Sequence, residues 1–221
     1  LYGPNDGFDL EKSHVLPAML RKMHLGKALE ENDWNTIQAD FNKLPIEDID
    51  GNSSREEMMD ILDKYGIKAP DNDLNNVQIE IWGSGKPRRE FLWSEDMADA
   101  CVFLMENIDF LDLTVSDEEE SSALIDGKVC DNPLSQPTNT EIRNTHINIG
   151  TGVDISIREL AETIKKIIGF QGELYFNTDK PDGTMLKLTD PSKLHQLGWH
   201  HKIELQDGIK KMYDWYQSRD A

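Results

Sequence analysis

The side chains best suited to chemistry in this 221-residue chain are basic. Arg21, Lys22, Lys86, Arg88, Arg89 and Lys187 stand out, and turn sequence abuts several of them: Gly83-Ser84-Gly85 precedes Arg89, and Asp182-Gly183-Thr184 precedes Lys187. Arginine and lysine converging from distant segments onto such loops suit a diphosphate, because charge-assisted and bidentate hydrogen bonds neutralise it. Taken singly, each is more readily an ordinary surface charge. Trp82 ends a strand seven residues before Arg89 and offers an aromatic surface beside an anion site, although a strand-end tryptophan is more commonly part of a core. His14 precedes an apolar helix. It could cap that helix, and imidazole is also the group best suited to proton transfer near neutral pH.

The elements that must position these residues alternate. His14–Lys27 has apolar residues at helical spacing, with Pro17 close enough to the start to be tolerated. Arg55–Tyr65 predicts an amphipathic helix stopped by Gly66. Val77–Trp82 alternates as a strand, Gly83 to Pro87 break it, and Arg89–Trp93 reads as a second short strand. Ser94 is placed to cap a helix running to about Asn107, with Glu95 and Asp96 in its first turn. Thr145–Gly150 reads as a buried strand, and Ser156 with Glu159 forms a capping box for a helix to Ile168. Glu173–Phe176 is a strand, Asp190-Pro191 opens a short helix ended by Gly198, and Leu205–Gln217 is a final amphipathic helix. The class is α/β.

The formal charge of −19 argues against nucleic acid as a partner. It is unevenly spread. Residues 28–76 hold 13 acids against 4 bases, and residues 106–141 hold 10 against 1, which leaves the rest of the chain nearly neutral. These two stretches read as acidic insertions, solvated excursions from a neutral core. No run approaches the roughly 20 apolar residues that a membrane helix needs. The opening residues lack the regions of a signal peptide. Cys101 and Cys130 are too few for a disulfide framework or a metal site. The expectation is a cytoplasmic protein with no membrane partner. The first residues, Leu-Tyr-Gly-Pro, read as a strand end entering a turn, and the expectation is a fragment of a longer chain.

A dinucleotide fold needs a glycine-rich turn after a strand so that backbone can approach the pyrophosphate. Neither Gly-x-Gly-x-x-Gly nor Gly-x-x-Gly-x-x-Gly occurs, and no Tyr-x-x-x-Lys pair occurs; Tyr65 and Lys68 are one residue too close.

The segments Leu1-Tyr2-Gly3-Pro4, Ser13-His14-Val15-Leu16-Pro17-Ala18 and Trp82-Gly83-Ser84-Gly85-Lys86-Pro87-Arg88-Arg89-Glu90-Phe91-Leu92 resemble the second half of extended short-chain dehydrogenases acting on nucleotide sugars. His146 to Asp154, Ile157 to Ala161, Lys180-Pro181-Asp182-Gly183-Thr184 and Leu194 to Trp199 narrow the resemblance to the GDP-L-fucose synthase family. It spans both ends of the chain and lapses in the two acidic stretches. The implied fold is the C-terminal, substrate-binding part of a Rossmann-type extended dehydrogenase over residues 1–221, with the N-terminal dinucleotide-binding part absent.

The resemblance implies an NADPH-dependent enzyme that epimerises two carbons flanking a ketone of a GDP-sugar and then reduces the ketone. His14 matches the general acid of epimerisation and a cofactor contact, and Leu1 matches a cofactor-contacting position. Lys22 stands where the family has a substrate-binding arginine; Trp82 and Arg89 match a substrate-contacting pair; Asp182 and Lys187 match nucleotide- or sugar-contacting positions. The base cysteine and the Ser-Tyr-Lys set would lie upstream, so the 221 residues alone are expected to be inactive. Met185-Leu186 replaces the usual Pro-Arg, and Trp93-Ser94-Glu95-Asp96 departs from the usual Tyr/His-Val-Asp-Asp. A homodimer of the full-length protein is a further implication. The alternatives are another extended dehydrogenase on nucleotide sugars, such as a GDP-mannose dehydratase or a 4-epimerase, and a non-catalytic nucleotide-sugar-binding module.

Overall fold

The structure, a computed structural model, describes residues 1–70, 74, 76–113 and 144–218. Its centre is a long helix, α1 (Val15–Glu30), rich in Leu, Ala, Met, Lys and Arg, which are strong helix formers. Pro17 sits in the first turn, where the missing N–H has no helical partner to lose. α1 is buried on several sides at once, by Leu16, Leu20, Met23, Leu25 and Leu29. It packs against α2 (Trp34–Lys43), α5 (Ile157–Ile168) and a three-stranded sheet.

That sheet joins β1 (Ile67–Lys68), β2 (Gln78–Trp82) and β5 (Glu173–Asn177). β2 and β5 run parallel, from Gln78 opposite Glu173 to Trp82 opposite Asn177, and β1 adds antiparallel to the other edge. A second sheet joins β3 (Arg88–Glu90) antiparallel to β4 (Asp154–Ser156) and parallel to β6 (Leu186–Lys187). Helices α3 (Arg55–Lys64), α4 (Ser94–Asn107), α6 (Ser192–Gln196) and α7 (Leu205–Ser218) complete the fold. The alternation of helix and strand makes it α/β, as predicted. The capping box is present at α5: Ser156 Oγ accepts from the Glu159 amide, and the Ser156 amide donates to the Glu159 carboxylate.

Three expectations are corrected. Residues 28–76 are not a solvated excursion. Ile37 and Phe41 of α2, Ile46, and Met58 and Leu62 of α3 are fully buried in the main core. Glu56, Glu57, Asp60 and Asp63 lie on the outer face of α3, whose inner face is apolar, and Asp40 is buried in an ion pair, so net charge alone misread the stretch. Ser94 does not cap α4; it is the first helical residue, Trp93 holds the cap position, and Trp93 is itself buried edge-on to Tyr2 at 5.3 Å. Residues 145–149 alternate between half-buried and exposed but join no ladder among the described residues. Ile147 and Ile149 pack instead on a small second core of Leu92, Ala100, Leu194 and Trp199. Cys130 and most of the second acidic stretch (114–141) lie outside the described residues.

Candidate functional site

A cavity of about 620 Å³ opens where the first turns of α1, the end of α3, the end of β2 and the loop after β2 meet. Lys22, Trp82, Arg89 and Asp182 all line it. Four of the residues singled out in sequence, from segments up to 160 positions apart, thus share one wall system.

The loop after β2 is shaped by two glycines in the left-handed region, Gly83 at φ 84° and Gly85 at φ 75°. A Cβ on Gly83 would lie 2.3 Å from Asp182 Oδ1, and one on Gly85 would lie 2.6 Å from the Phe176 ring. Only glycine permits both the turn and the close approach. That approach lets Asp182 clamp the loop: Oδ1 accepts from the Ser84 amide at 2.8 Å and Oδ2 from Ser84 Oγ at 2.7 Å. These bonds from Ser84 hold the Asp182 carboxyl below the usual aspartate range. Asp182 therefore spends both oxygens on joining the 83–85 loop to the 180–184 turn, and the side chain is a brace as well as a wall.

Arg89 lies on β3. Its Nη1 donates to the carbonyls of Arg88 at 2.7 Å and Thr184 at 2.6 Å, which tethers the guanidinium to that turn and fixes its direction. Trp82, 67 % exposed, is no core residue; its ring stands at the cavity rim with Lys180 Nζ 5.2 Å from the ring centre. The cation–π partner keeps positive charge at that rim.

Lys22 projects from α1 into the deep part of the cavity, where Nζ donates to the Glu80 carbonyl at 3.3 Å. Burial pushes its ammonium down to about 8, partly offset by the Glu80 carboxylate. Glu80 is itself occupied by Lys68 Nζ at 2.6 Å and Asn177 Nδ2 at 2.8 Å, and these hold its carboxyl below the ordinary range. Lys22 is thus a desolvated cation beside an acid whose charge is already shared.

The remaining expectations separate. Lys187 pairs with Arg89 across the β3–β6 ladder but is exposed and outside the cavity wall. His14 occupies the cap position of α1, yet its side chain makes no capping bond; it is 85 % exposed, with Nδ1 3.9 Å from Asp6 Oδ1. The next residue, Val15, lines the cavity. Leu1 is exposed. Two of the basic residues noted with the anion site do other work. Arg21 is buried against Asp40, and Arg88 pairs with Asp154 at 2.8 Å. Lys64 and Tyr65, passed over in the sequence because they belong to the acidic stretch, do line the cavity. No local signal marked them, since their placement depends on the packing of α3.

Glu90, also not singled out, organises the turn after residue 149. Burial would raise its carboxyl, but amides of Gly152, Thr189 and Thr151 donate to it and hold it below the glutamate range. Among the described residues, no group of His, Cys, Asp or Glu is set to hold a metal ion, and no helix is long and apolar enough to cross a membrane. A nicotinamide cofactor finds no pyrophosphate cradle in the sequence; the exposed Leu1 and His14 could supply at most an edge of its site.

Comparison with known proteins fits this arrangement. The profile of the NAD dependent epimerase/dehydratase family matches residues 56–113. GDP-L-fucose synthase of Escherichia coli is 35% identical over 216 residues, which is 98% of this chain and 46% of that protein. A solved GDP-6-OMe-4-keto-L-xylo-heptose reductase from C. jejuni is 44% identical with a TM-score of 0.76, covering 99% of this chain and 52% of the other. A GDP-mannoheptose C4 reductase from Campylobacter jejuni, solved with NADP bound, is 43% identical with a TM-score of 0.71, covering 98% and 50%. The chain therefore spans about half the length of the proteins it matches. Its α/β fold is that of the Rossmann-like epimerases and dehydratases.

Proposed function

We propose that the chain is the GDP-sugar-binding part of an NADPH-dependent epimerase/reductase of the extended short-chain dehydrogenase/reductase family, a reading that its similarity to such proteins supports. Its first candidate reaction is conversion of GDP-4-keto-6-deoxy-D-mannose to GDP-L-fucose, with the dinucleotide-binding part of the protein outside these residues. The observation that carries the reading is the convergence of Lys22, Trp82, Arg89 and Asp182 on one cavity. A GDP-sugar brings a diphosphate, which Arg89 and the desolvated Lys22 would neutralise. It also brings flat and apolar ring faces, which Trp82 would cover. Asp182 would hold the 83–85 loop against the nucleotide, and Lys187, one ladder position from Arg89, would add charge at the rim.

Both stereocentres of the substrate lie α to one ketone, so a single acid/base set can invert them through an enolate. His14 would return a proton at that enolate. Its ring is exposed, as is Leu1, and both would meet the cofactor. NADPH, when bound, supplies the hydride that reduces the ketone. The absence of a glycine-rich turn and of Tyr-x-x-x-Lys from this sequence supports placing cofactor binding and carbonyl polarisation elsewhere in the protein.

A second reading has a specific observation in its favour. Identity is 43–44% to reductases named for GDP-heptoses and 35% to the fucose synthase. The substrate would then be a GDP-4-keto-heptose handled by the same cavity. The deciding experiment offers the natural protein each keto sugar and follows NADPH consumption and product identity. Oxidation with neither would sink both readings, and GDP binding without turnover would favour a non-catalytic module.

A further inference from the structure

Residues 47–65 add a feature to the cavity that the proposed function leaves unused. Ile46 and Ile49 close a tight turn with paired backbone hydrogen bonds of 3.0 Å, and within it Glu47 adopts φ 53°, a left-handed conformation that costs a non-glycine residue about 1 kcal/mol. The strained turn aims one carboxylate oxygen at two partners at once. Glu47 Oε1 accepts from Lys64 Nζ at 2.6 Å and from Tyr65 Oη at 2.8 Å. Lys64 Nζ also stands 5.9 Å from the centre of the Tyr65 ring. The result is a latched Glu-Lys-Tyr set at the end of α3, and both Lys64 and Tyr65 line the cavity.

Its place along the cavity decides what it can touch. The lining includes Asp182, Gly183 and Arg89, and it also includes Leu10, Glu11 and Val15. Tyr65 feels the charges of Glu11 and Asp9, so it borders the loop that leads into His14. On the proposed function the sugar reacts beside His14, and Arg89 meets the diphosphate. A 6-deoxy sugar presents a methyl group there and has no use for hydrogen-bonding side chains. A sugar with a hydroxylated exocyclic arm meets a phenol and an ammonium already held in place by Glu47, and such prepaid order raises discrimination.

We propose that Lys64 and Tyr65, latched through Glu47, are specificity-determining residues that contact the glycosyl moiety and select a GDP-4-keto sugar bearing a hydroxylated exocyclic arm over its 6-deoxy counterpart. The inference rests on reading the cavity as a GDP-sugar site. It deepens that reading by favouring the second of its two substrate classes, the GDP-4-keto-heptose.

The test uses the natural protein and two substrates, a GDP-4-keto-heptose and GDP-4-keto-6-deoxy-mannose, with kcat/KM measured for each. The quantity read is their ratio. Wild type favours the heptose. Tyr65→Phe, which keeps the ring and its packing, and Lys64→Met, which keeps the stem, each lower that ratio about tenfold. A wild-type preference for the 6-deoxy sugar overturns the proposal, and so does a ratio within twofold of wild type in both variants. Absence of turnover with either sugar in wild type is a different result, because it overturns the function on which the inference rests.

Discussion

Arg21 and Asp40 form an ion pair closed to solvent, with the guanidinium Nε and Nη2 at 2.9 and 2.8 Å from one carboxylate oxygen. The other oxygen accepts from Tyr216 Oη, and Arg21 donates further to the carbonyls of Phe8 and Leu44. The pair ties α1 to α2 and α7, so part of the acidic segment is bolted into the centre of the fold by a charge. Removing one partner leaves the other charged and buried. Asp40→Ala is therefore expected to destabilise the protein by about 3–5 kcal/mol, whereas Arg21→Met with Asp40→Leu costs less. Urea unfolding of the three proteins checks this, and equal losses would mean that packing and not the charge carries the effect.

The same pair shows what the sequence could and could not disclose. Helices α1, α3 and α5 and strand β2 were legible because period, caps and breakers agree locally: Ser156-Glu159 at the start of α5 and Gly83 after β2 are examples. Lys22, Trp82, Arg89 and Asp182 were legible as candidates because of turn chemistry and family resemblance. Arg21 was not legible as a structural residue, because its partner lies 19 positions away in a stretch whose net charge suggested solvent. Lys64 and Tyr65 were hidden for the same reason. Residues 145–149 have the pattern of a strand, but a pattern does not supply the neighbouring edge that a ladder needs.

Lys22 gives a pH dependence with two signs. Its folded pKa is about 8 and the ordinary lysine value is 10.5, so between these the unfolded chain binds more protons. Stability from this group therefore rises as pH climbs from about 8 toward 10.5, as the buried charge is relieved. Anion binding runs the other way, because it needs the ammonium. Affinity for GDP is expected to fall as pH rises through about 8, and Lys22→Arg is expected to remove that inflection, since a guanidinium does not titrate there. Calorimetric titration of GDP on either side of pH 8 measures both; an inflection that survives Lys22→Arg assigns the effect to another group.

Asp182 acts on the cavity loop chiefly through Ser84, by bonds of 2.8 and 2.7 Å. Asp182→Ala frees the loop between two glycines whose conformations few residues could hold alone. GDP affinity is expected to fall about tenfold, and hydrogen exchange at the Ser84 amide is expected to quicken. Asp182→Asn keeps one acceptor and should fall between. Loss of affinity without faster exchange would make Asp182 a direct ligand contact instead of a brace.

His14 is exposed, makes no capping bond, and precedes the first cavity-lining residue of α1. Those three facts leave its ring free to meet a substrate and cofactor approaching from the open side. If it returns the proton during epimerisation, His14→Gln in the natural protein abolishes solvent-deuterium incorporation at the carbons flanking the ketone. A preformed epimer would still be reduced, because hydride transfer does not need that proton. Stability should move by less than about 0.5 kcal/mol, as expected for an exposed side chain without structural bonds. Incorporation at the wild-type rate would remove His14 from the chemistry, and loss of reduction together with incorporation would place it in cofactor binding.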